Sequence, residues 1–246
     1  MKIGIFGDSF ADPVNDVRKN APYAWYNILA NKLPNVTTLG LHGVGASSLF
    51  FSYQKFLKLY TEYDLIICCV TGATRYPKPL TLSDGQLRHY CGVGAVANAY
   101  KYLGKNITSD DKRTLEHLSG YFIMNVDEYH WVASDLIMNH MSSLHPNIVF
   151  YPCFLDSFTK ERFIRDGIAE KYLLFHMYRK QLKLMNIDND AEKNEKDTII
   201  GHLVHEYNEF FANLLFKKLQ TGKYDFTGYD DITHIALPND YYYEFL

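Results

Sequence analysis

The sequence predicts an α/β protein in which helices cover the faces of a parallel sheet. Apolar runs typical of strands alternate with segments in which apolar residues recur at helical spacing, beginning at the N-terminus. The run over residues 64–70 is almost continuously apolar, which is typical of a parallel strand buried on both faces. Strand–loop–helix units that follow one another in this way favour a parallel sheet over separate α and β regions.

The elements follow from these patterns in chain order. Short apolar runs, each ending at a polar or glycine-rich turn, predict strands over residues 2–6, 36–39, 64–70 and 147–153. Apolar stripes at helical spacing predict helices over residues 25–33, 49–60, 163–184 and 200–219. Pro22 lies just before the first of these helices, where a helix accepts proline.

The remaining segments set the expected domain organisation. Residues 75–145 show helical periods and polar loops without a clear strand, which predicts a mostly helical insertion after the third strand. The charged residues over 187–197 predict a solvated loop, and the tail over residues 221–246 is rich in Tyr and Asp and has no predicted structure. Because there is no internal repeat or linker, we expect residues 1–246 to form a single domain.

Composition excludes several classes of protein. A chain of 246 residues buries roughly 70% of its surface on folding, which is ample for a core. The 25 basic and 28 acidic side chains give a net charge of -3, which favours neither nucleic acid nor anionic membrane as a partner. The sequence contains no apolar run long enough to span a bilayer and no signal peptide at its start, so we expect no membrane association.

Cysteine spacing bears on metals and on the redox compartment. The four cysteines, Cys68, Cys69, Cys91 and Cys153, lack the spacing of a metal site, and neighbouring residues of one strand face opposite ways. We therefore expect free, buried thiols, no bound metal and a reducing compartment such as the cytoplasm.

The residues that could carry chemistry follow the predicted strands, because an open parallel sheet binds ligands at the carboxyl ends of its strands. Ser9 is predicted to lie in a sharp strand-to-helix turn, and a serine in such a turn has an exposed hydroxyl and a backbone N–H directed toward the group attacked. Gly45, in the glycine-rich loop after the second strand, offers a second N–H to a developing oxyanion. His202, just before the last helix, is the candidate base.

These motifs together resemble the SGNH, or GDSL-type, hydrolases. The resemblance rests on Gly7-Asp8-Ser9-Phe10 after the first strand, Gly-x-Gly-x-Ser-Ser over residues 43–48, and His202 followed ten residues on by Ala212. In detail the chain looks most like divergent members encoded by tailed bacteriophages, which would place it in the cytoplasm of the host cell. The resemblance implies a flavodoxin-like three-layer α/β/α sandwich, with Ser9 as nucleophile, Gly45 as an oxyanion donor and His202 as base.

Two positions depart from the family pattern. Family members carry an Asn whose amide is a further oxyanion donor after the third strand, whereas here Thr74 or Arg75 is left to take that role. The family Asp three residues before the histidine falls on Ile199, so Asp197 is the nearest carboxylate and needs a different local turn to reach the imidazole. A Ser-His dyad without an orienting acid can still work, although loss of the acid from a triad lowers activity by about 10⁴-fold in one well-studied protease.

A competing base lies in the tail. Asp231-Ile-Thr-His234 has the literal Asp-x-x-His spacing, but Pro238 follows where the family has its closing helix, so we prefer His202. The tail could still fold back to bring Asp231 or His234 close to Ser9, and both interpretations stay open.

The resemblance implies an esterase that forms an acyl-enzyme on Ser9, needs no cofactor or metal, and acts on a small ester such as an O-acetylated carbohydrate. The alternative is a non-catalytic protein of the same fold that binds a glycan or another protein, with Ser9 only capping the first helix. The sequence specifies neither the acyl group nor the oligomeric state.

An excess of aromatic residues, 20 Tyr and 16 Phe, is the remaining signal. Several of them fall in the insertion and the tail, namely Tyr76, Tyr90, Tyr129, Trp131 and Tyr241–Tyr243. We expect these rings, with His89 and His130, to cover the strand ends and to line a substrate groove above Ser9.

Overall fold

The computed structural model describes residues 1–8, 10–11, 22–43, 48–73, 75–124, 128–155, 157–169, 173–184 and 203–234. The strands are β1 (Lys2–Gly7), β2 (Thr38–Gly43), β3 (Leu65–Val70), β4 (Lys78–Thr81), β5 (Leu87–Tyr90) and β6 (Ile148–Pro152). The helices are α1 (Trp25–Lys32), α2 (Leu49–Leu59), α3 (Val93–Leu103), α4 (Ser109–Met124), α5 (Glu128–Leu144), α6 (Lys160–Asp166), α7 (Leu174–Leu184) and α8 (His205–Thr221). Short 3₁₀ turns follow α2 at Tyr60–Glu62 and α3 at Gly104–Asn106.

A parallel sheet with the strand order β2-β1-β3-β6 forms the centre of the fold. Side chains alternate between its faces, so Cys69 packs with α1, α7 and α8 while Cys68 packs with α2, α5 and α6. Helices therefore cover both faces, an arrangement compatible with a three-layer sandwich. The expected α/β class with a central parallel sheet is confirmed, and so are the four free, buried cysteines.

The second strand was expected over residues 36–39 and is found at Thr38–Gly43. Gly40 lies within this strand, beside Gly4 of β1, and not in a loop. A Cβ on Gly40 would collide with the hydroxyl of Tyr63 and lie 2.7 Å from its Cζ. Gly40 and its neighbour Gly4 on β1 therefore make room for the Tyr63 ring, which crosses the strand pair.

Three further expectations need correction. The insertion contains, besides α3, α4 and α5, an antiparallel hairpin of β4 and β5, where no strand was expected. The segment over residues 163–184 is not one helix, because Gly167 adopts the left-handed conformation (φ 71°) that ends α6, and α7 begins later. The last helix begins at His205 and not at residue 200.

The insertion carries a small core of its own. Tyr90, which was expected to cover the strand ends, is instead buried in this core. The other buried members are Leu82, Val96, Ala99, Leu103, Leu115 and Phe122. The rings of Tyr90 and Phe122 therefore contribute to packing within the insertion. Among the described helices, none is long and apolar enough to cross a membrane.

The described part of the tail returns along α8. The Tyr224 hydroxyl donates to the carbonyl oxygen of Phe150 on β6 at 3.2 Å. Tyr229 then packs against Tyr207 in the first turn of α8, with ring centroids 6.1 Å apart. Residues 221–234 therefore run from the edge of the sheet back toward the start of α8.

Candidate functional site

The order of the strands places a ligand-binding position at the end of β1. From β1 the chain moves to β2 on one side of the sheet and then to β3 on the other, so the strand order reverses between β1 and β3. Open α/β sheets bind ligands in the crevice at such a switch point, outside the carboxyl ends of the strands. Asp8, Thr71 and Cys153 are the residues that directly follow β1, β3 and β6.

Asp8 is a buried carboxylate at this point, with a side chain that has no exposed surface. Its Oδ1 accepts the backbone N–H of Phe10 at 3.0 Å, and the Cys153 thiol lies 3.8 Å from the same oxygen. Its Oδ2 lies 3.7 Å from Nη1 of Arg75, an ion pair longer than a hydrogen bond. The pKa of Asp8 is raised because burial disfavours the charged form, and the charge of Arg75 and the Phe10 N–H oppose that rise.

Asp8→Asn is expected to reduce the pH dependence of the unfolding free energy. The folded-state pKa of Asp8 lies above its usual 3.8, so the unfolded chain releases this proton first. The wild type therefore loses stability relative to the variant as the pH rises from about 4 to the raised pKa. Urea unfolding of both proteins across this range measures the difference.

Asp84→Asn is the matched control with the opposite sign. Arg88 pairs with this exposed carboxylate and lowers its pKa, so its contribution is lost only as the pH falls below about 4. A difference between wild type and Asp8→Asn that does not change with pH would contradict a raised pKa for Asp8.

Arg75 extends from the loop after β3 across the end of the sheet. Its guanidinium carbon lies 4.4 Å from the centroid of the Phe154 ring, in the loop after β6, while Nη1 faces Asp8. A quarter of the side chain is exposed. The structure therefore places Arg75 at the expected end of the sheet, where Asp8 offsets part of its charge.

A chain of buried hydrogen bonds joins the loop after β1 to the segment before α8. The indole N–H of Trp25 donates to the carbonyl oxygen of Phe10 at 3.0 Å. The backbone N–H of Trp25 donates to Oδ1 of Asn208 at 3.1 Å, and Nδ2 of Asn208 donates to the carbonyl oxygen of Leu203 at 2.7 Å. Two residues, Trp25 and Asn208, therefore connect Phe10 to Leu203 through hydrogen bonds.

This chain of hydrogen bonds, from Phe10 through Trp25 and Asn208 to Leu203, is called the brace below. It also provides a hydrogen-bond acceptor at the start of α1. Ala24 precedes the helix and has no side-chain oxygen to accept the first free N–H groups. Asn208 provides that acceptor from α8, and Gln181 of α7 accepts the Val204 N–H at 2.8 Å. The backbone at Leu203 and Val204 is therefore fixed from two helices.

Most of the sequence-predicted site residues lie outside the described residues: Ser9, Gly45, Thr74, Asp197 and His202. Their described neighbours show which segments are connected by hydrogen bonds. Asp8 and Phe10 flank position 9, and Leu203 follows position 202, so the brace joins the chain beside Ser9 to the chain beside His202. Tyr129 and Tyr241–Tyr243 also lie where no side chain is described.

The competing pair in the tail is described. The side chains of Asp231 and His234 are both exposed, although Tyr229 packs close to the start of α8. A general base and its carboxylate need a fixed mutual orientation, which buried hydrogen bonds provide. Exposure of both side chains does not favour this pair.

Three of the rings expected above Ser9, those of Tyr76, His130 and Trp131, are described. Tyr76 stacks on His130 with centroids 5.2 Å apart, and Trp131 lines an open groove. His89 packs on Phe51 of α2 instead, with centroids 5.5 Å apart.

Sequence reasoning missed three residues that shape the site, namely Asp8 as an ion-pair partner, Phe154 and Asn208. The position of Phe154 immediately after the strand predicted over residues 147–153 was a usable signal, because ligand-binding loops begin there. Asn208, a buried polar residue on an apolar helix face, was a weaker one.

No group of three or more His, Cys, Asp or Glu side chains in the described ranges has the geometry of a metal site. No protein-family model, curated protein or solved structure matches this chain.

Proposed function

We propose that this chain is a serine ester hydrolase of the SGNH type, with Ser9 as nucleophile and His202 as base. The observation that carries the proposal is the brace from Phe10 through Trp25 and Asn208 to Leu203. A nucleophile and its base must approach within hydrogen-bond reach, and the brace connects residues next to each of them through Trp25 and Asn208, although the sequence separates them widely.

The strand order supports the same proposal. The parallel strands, numbered among themselves, follow the order 2-1-3-4, which is the beginning of the flavodoxin-like order 2-1-3-4-5. Ser9 directly follows the buried Asp8, at the switch point where that fold binds its ligands.

In the proposed reaction, Ser9 Oγ attacks the ester carbonyl while His202 takes its proton. The N–H groups of Ser9 and Gly45 stabilise the oxyanion, with Thr74 or Arg75 in the place of the family Asn. The tetrahedral intermediate collapses, His202 gives its proton to the departing alcohol, and an acyl-enzyme forms on Ser9. Water, deprotonated by His202, then releases the acid. Asp197 is the carboxylate that would orient the imidazole, and no cofactor takes part.

One observation favours a second function, a non-catalytic protein that binds an acylated glycan or another protein. Nη1 of Arg75 lies 3.7 Å from the Asp8 carboxylate, so part of the charge that would replace the family Asn is already offset. A weaker oxyanion site reduces catalysis and leaves binding intact.

A fluorophosphonate probe separates the two functions, because it reacts with a serine hydroxyl only when a base activates it. We expect the folded protein to gain one phosphonate on the peptide that contains Ser9. Heat-unfolded protein and Ser9→Ala should gain none. A folded sample that stays unlabelled would support the non-catalytic function.

A further inference from the structure

A cavity of about 350 Å³ lies beside β6, at one end of the strand order β2-β1-β3-β6. Its lining includes residues 148–150, the first three of β6, so it lies toward the amino end of that strand. Asp8, Arg75 and Phe154, which lie in the loops after the strands, are not part of the lining. This cavity is therefore separate from the candidate catalytic site. Its volume is within the range of small-molecule sites, roughly 300–1,000 Å³.

Positive charge is concentrated around the cavity. Arg162 and Arg165 of α6 and Lys218 of α8 line it, and Asp166 carries the only carboxylate among its described lining residues. Three cations and one carboxylate give the lining a charge of +2, although the whole chain has a net charge of -3. A local excess of positive charge of this kind favours an anionic ligand.

Arg162 is a buried cation with an unsatisfied N–H group. Its side chain is 6% exposed, and its guanidinium carbon lies 5.1 Å from the ring centroid of Phe150 and 5.0 Å from that of Phe158. Nη1 lies 3.6 Å from Oδ1 of Asp135, and Nε lies 3.5 Å from Oδ2 of Asp166, both longer than a hydrogen bond. Nε has no hydrogen-bond partner in the described part of the chain.

The two neighbouring carboxylates compensate this charge only in part. Burial lowers the pKa of the Arg162 guanidinium, and the charge of Arg165 lowers it further, against the opposing effects of Asp166 and Asp135. A buried charged donor is stable when it is paired and hydrogen-bonded. An anion in the cavity would provide the partner that Arg162 lacks.

The other two cations are held beside the cavity by contacts of their own. Nε of Arg165 lies 3.1 Å from Oδ1 of Asp166, the carboxylate that also faces Arg162. Nζ of Lys218 donates to the carbonyl oxygen of Gly222 at 2.9 Å and lies 4.6 Å from the ring centroid of Tyr224. An ammonium group has three donors, so Lys218 can bond a ligand as well.

An apolar surface adjoins these charges. Tyr224 lines the cavity, and its hydroxyl donates to the carbonyl oxygen of Phe150 at 3.2 Å, which fixes the ring at the edge of the sheet. Ile148 and Val149 also line the cavity and are half-buried. The cavity can therefore contact an organic group as well as a charged one.

We infer that this cavity binds a small organic phosphate monoester, with its phosphate on Arg162, Arg165 and Lys218 and its organic group against Tyr224. A phosphate monoester carries a charge close to -2 at neutral pH and has three acceptor oxygens, which match the charge and the number of the cations. Arg guanidinium groups bind phosphate through paired hydrogen bonds. A carboxylate has one charge fewer and leaves the site less well compensated. The inference does not depend on the proposed esterase function.

Isothermal titration calorimetry with phenyl phosphate, inorganic phosphate and benzoate tests the ligand class. Phenyl phosphate is expected to bind the wild type at one saturable site. Inorganic phosphate should bind about tenfold more weakly, because it lacks the apolar group. Benzoate should also bind about tenfold more weakly, because it lacks the second charge and the third acceptor oxygen.

Variants of the cavity test its location. Arg165→Gln and Lys218→Gln are each expected to weaken phenyl phosphate binding about tenfold, through loss of one charged hydrogen bond. Neither side chain is buried, so both variants should fold. Arg162→Met should abolish binding, with circular dichroism to check its folding. Lys217→Gln is the matched control, because Lys217 is exposed on α8 beside Lys218, and it should bind as the wild type does.

Arg75→Gln is the second control, because Arg75 is the cation of the candidate catalytic site, and it too should bind phenyl phosphate as the wild type does. Loss of binding in Arg75→Gln would place the anion at the switch point and overturn the inference. The inference would also be overturned by a wild type that shows no saturable binding, by inorganic phosphate or benzoate that binds as tightly as phenyl phosphate, or by an equal loss in Lys217→Gln. None of these measurements needs turnover, so they are independent of the labelling of Ser9.

Discussion

Replacement of Ser9 by Ala is expected to lower kcat/KM for p-nitrophenyl acetate by at least about 10³-fold. The change removes the atom that forms the acyl-enzyme, so only attack by water remains, assisted by the oxyanion donors. Ser143→Ala is the matched control, because Ser143 lies exposed on α5 and its hydroxyl donates to the carbonyl oxygen of His140. Equal rates for wild type and Ser9→Ala would remove Ser9 from the mechanism.

The same assay decides between the two candidate bases. His202→Ala is expected to lower kcat/KM about as much as Ser9→Ala does, since the two residues act as one unit and their effects are not additive. His234→Ala should retain the wild-type rate, because the His234 side chain is exposed. The reverse pattern would assign the base to the tail.

Replacement of Asn208 by Ala is expected to lower the free energy of unfolding by about 2–4 kcal/mol. The amide bonds both the Trp25 N–H and the Leu203 carbonyl oxygen, and its loss leaves two buried polar groups without partners. Urea unfolding monitored by circular dichroism measures the change. Asn213→Ala is the control, since Asn213 is exposed on the same helix, and this change should lower the free energy of unfolding only slightly.

The activity of Asn208→Ala tests the functional role of the brace. If the brace positions the chain beside His202, kcat should fall at temperatures where the variant is still folded, while KM changes little. An Asn208→Ala protein as stable and as active as Asn213→Ala would show that the brace has no such role.

The apolar pattern of the sequence was sufficient to predict elements whose residues are all buried. The β3 run is buried along its whole length, so its apolar character alone identifies the strand. Gly40 shows where this fails, because a glycine marks either a turn or a close approach, and only the position of Tyr63 decides which. The β4–β5 hairpin was missed because Leu87-Arg88-His89-Tyr90 lacks a clear alternation of apolar and polar residues.

The location of the site was more predictable than its contacts. Loops after parallel strands are ligand-binding positions by topology, and the sequence identifies those loops from the strands alone. The pairing of Asp8 with Arg75 and the bonds of Asn208 depend on tertiary packing, since Asn208 lies 183 positions from Trp25 along the chain.

The most direct test of the central claim is a crystal structure of the protein with a phosphonate bound to Ser9. We predict that Nε2 of His202 lies within about 2.6–3.2 Å of the Ser9 Oγ or of a phosphonate oxygen, the range of a general base. The imidazole of His234 in that position, or no imidazole there at all, would contradict the assignment of His202 as the base.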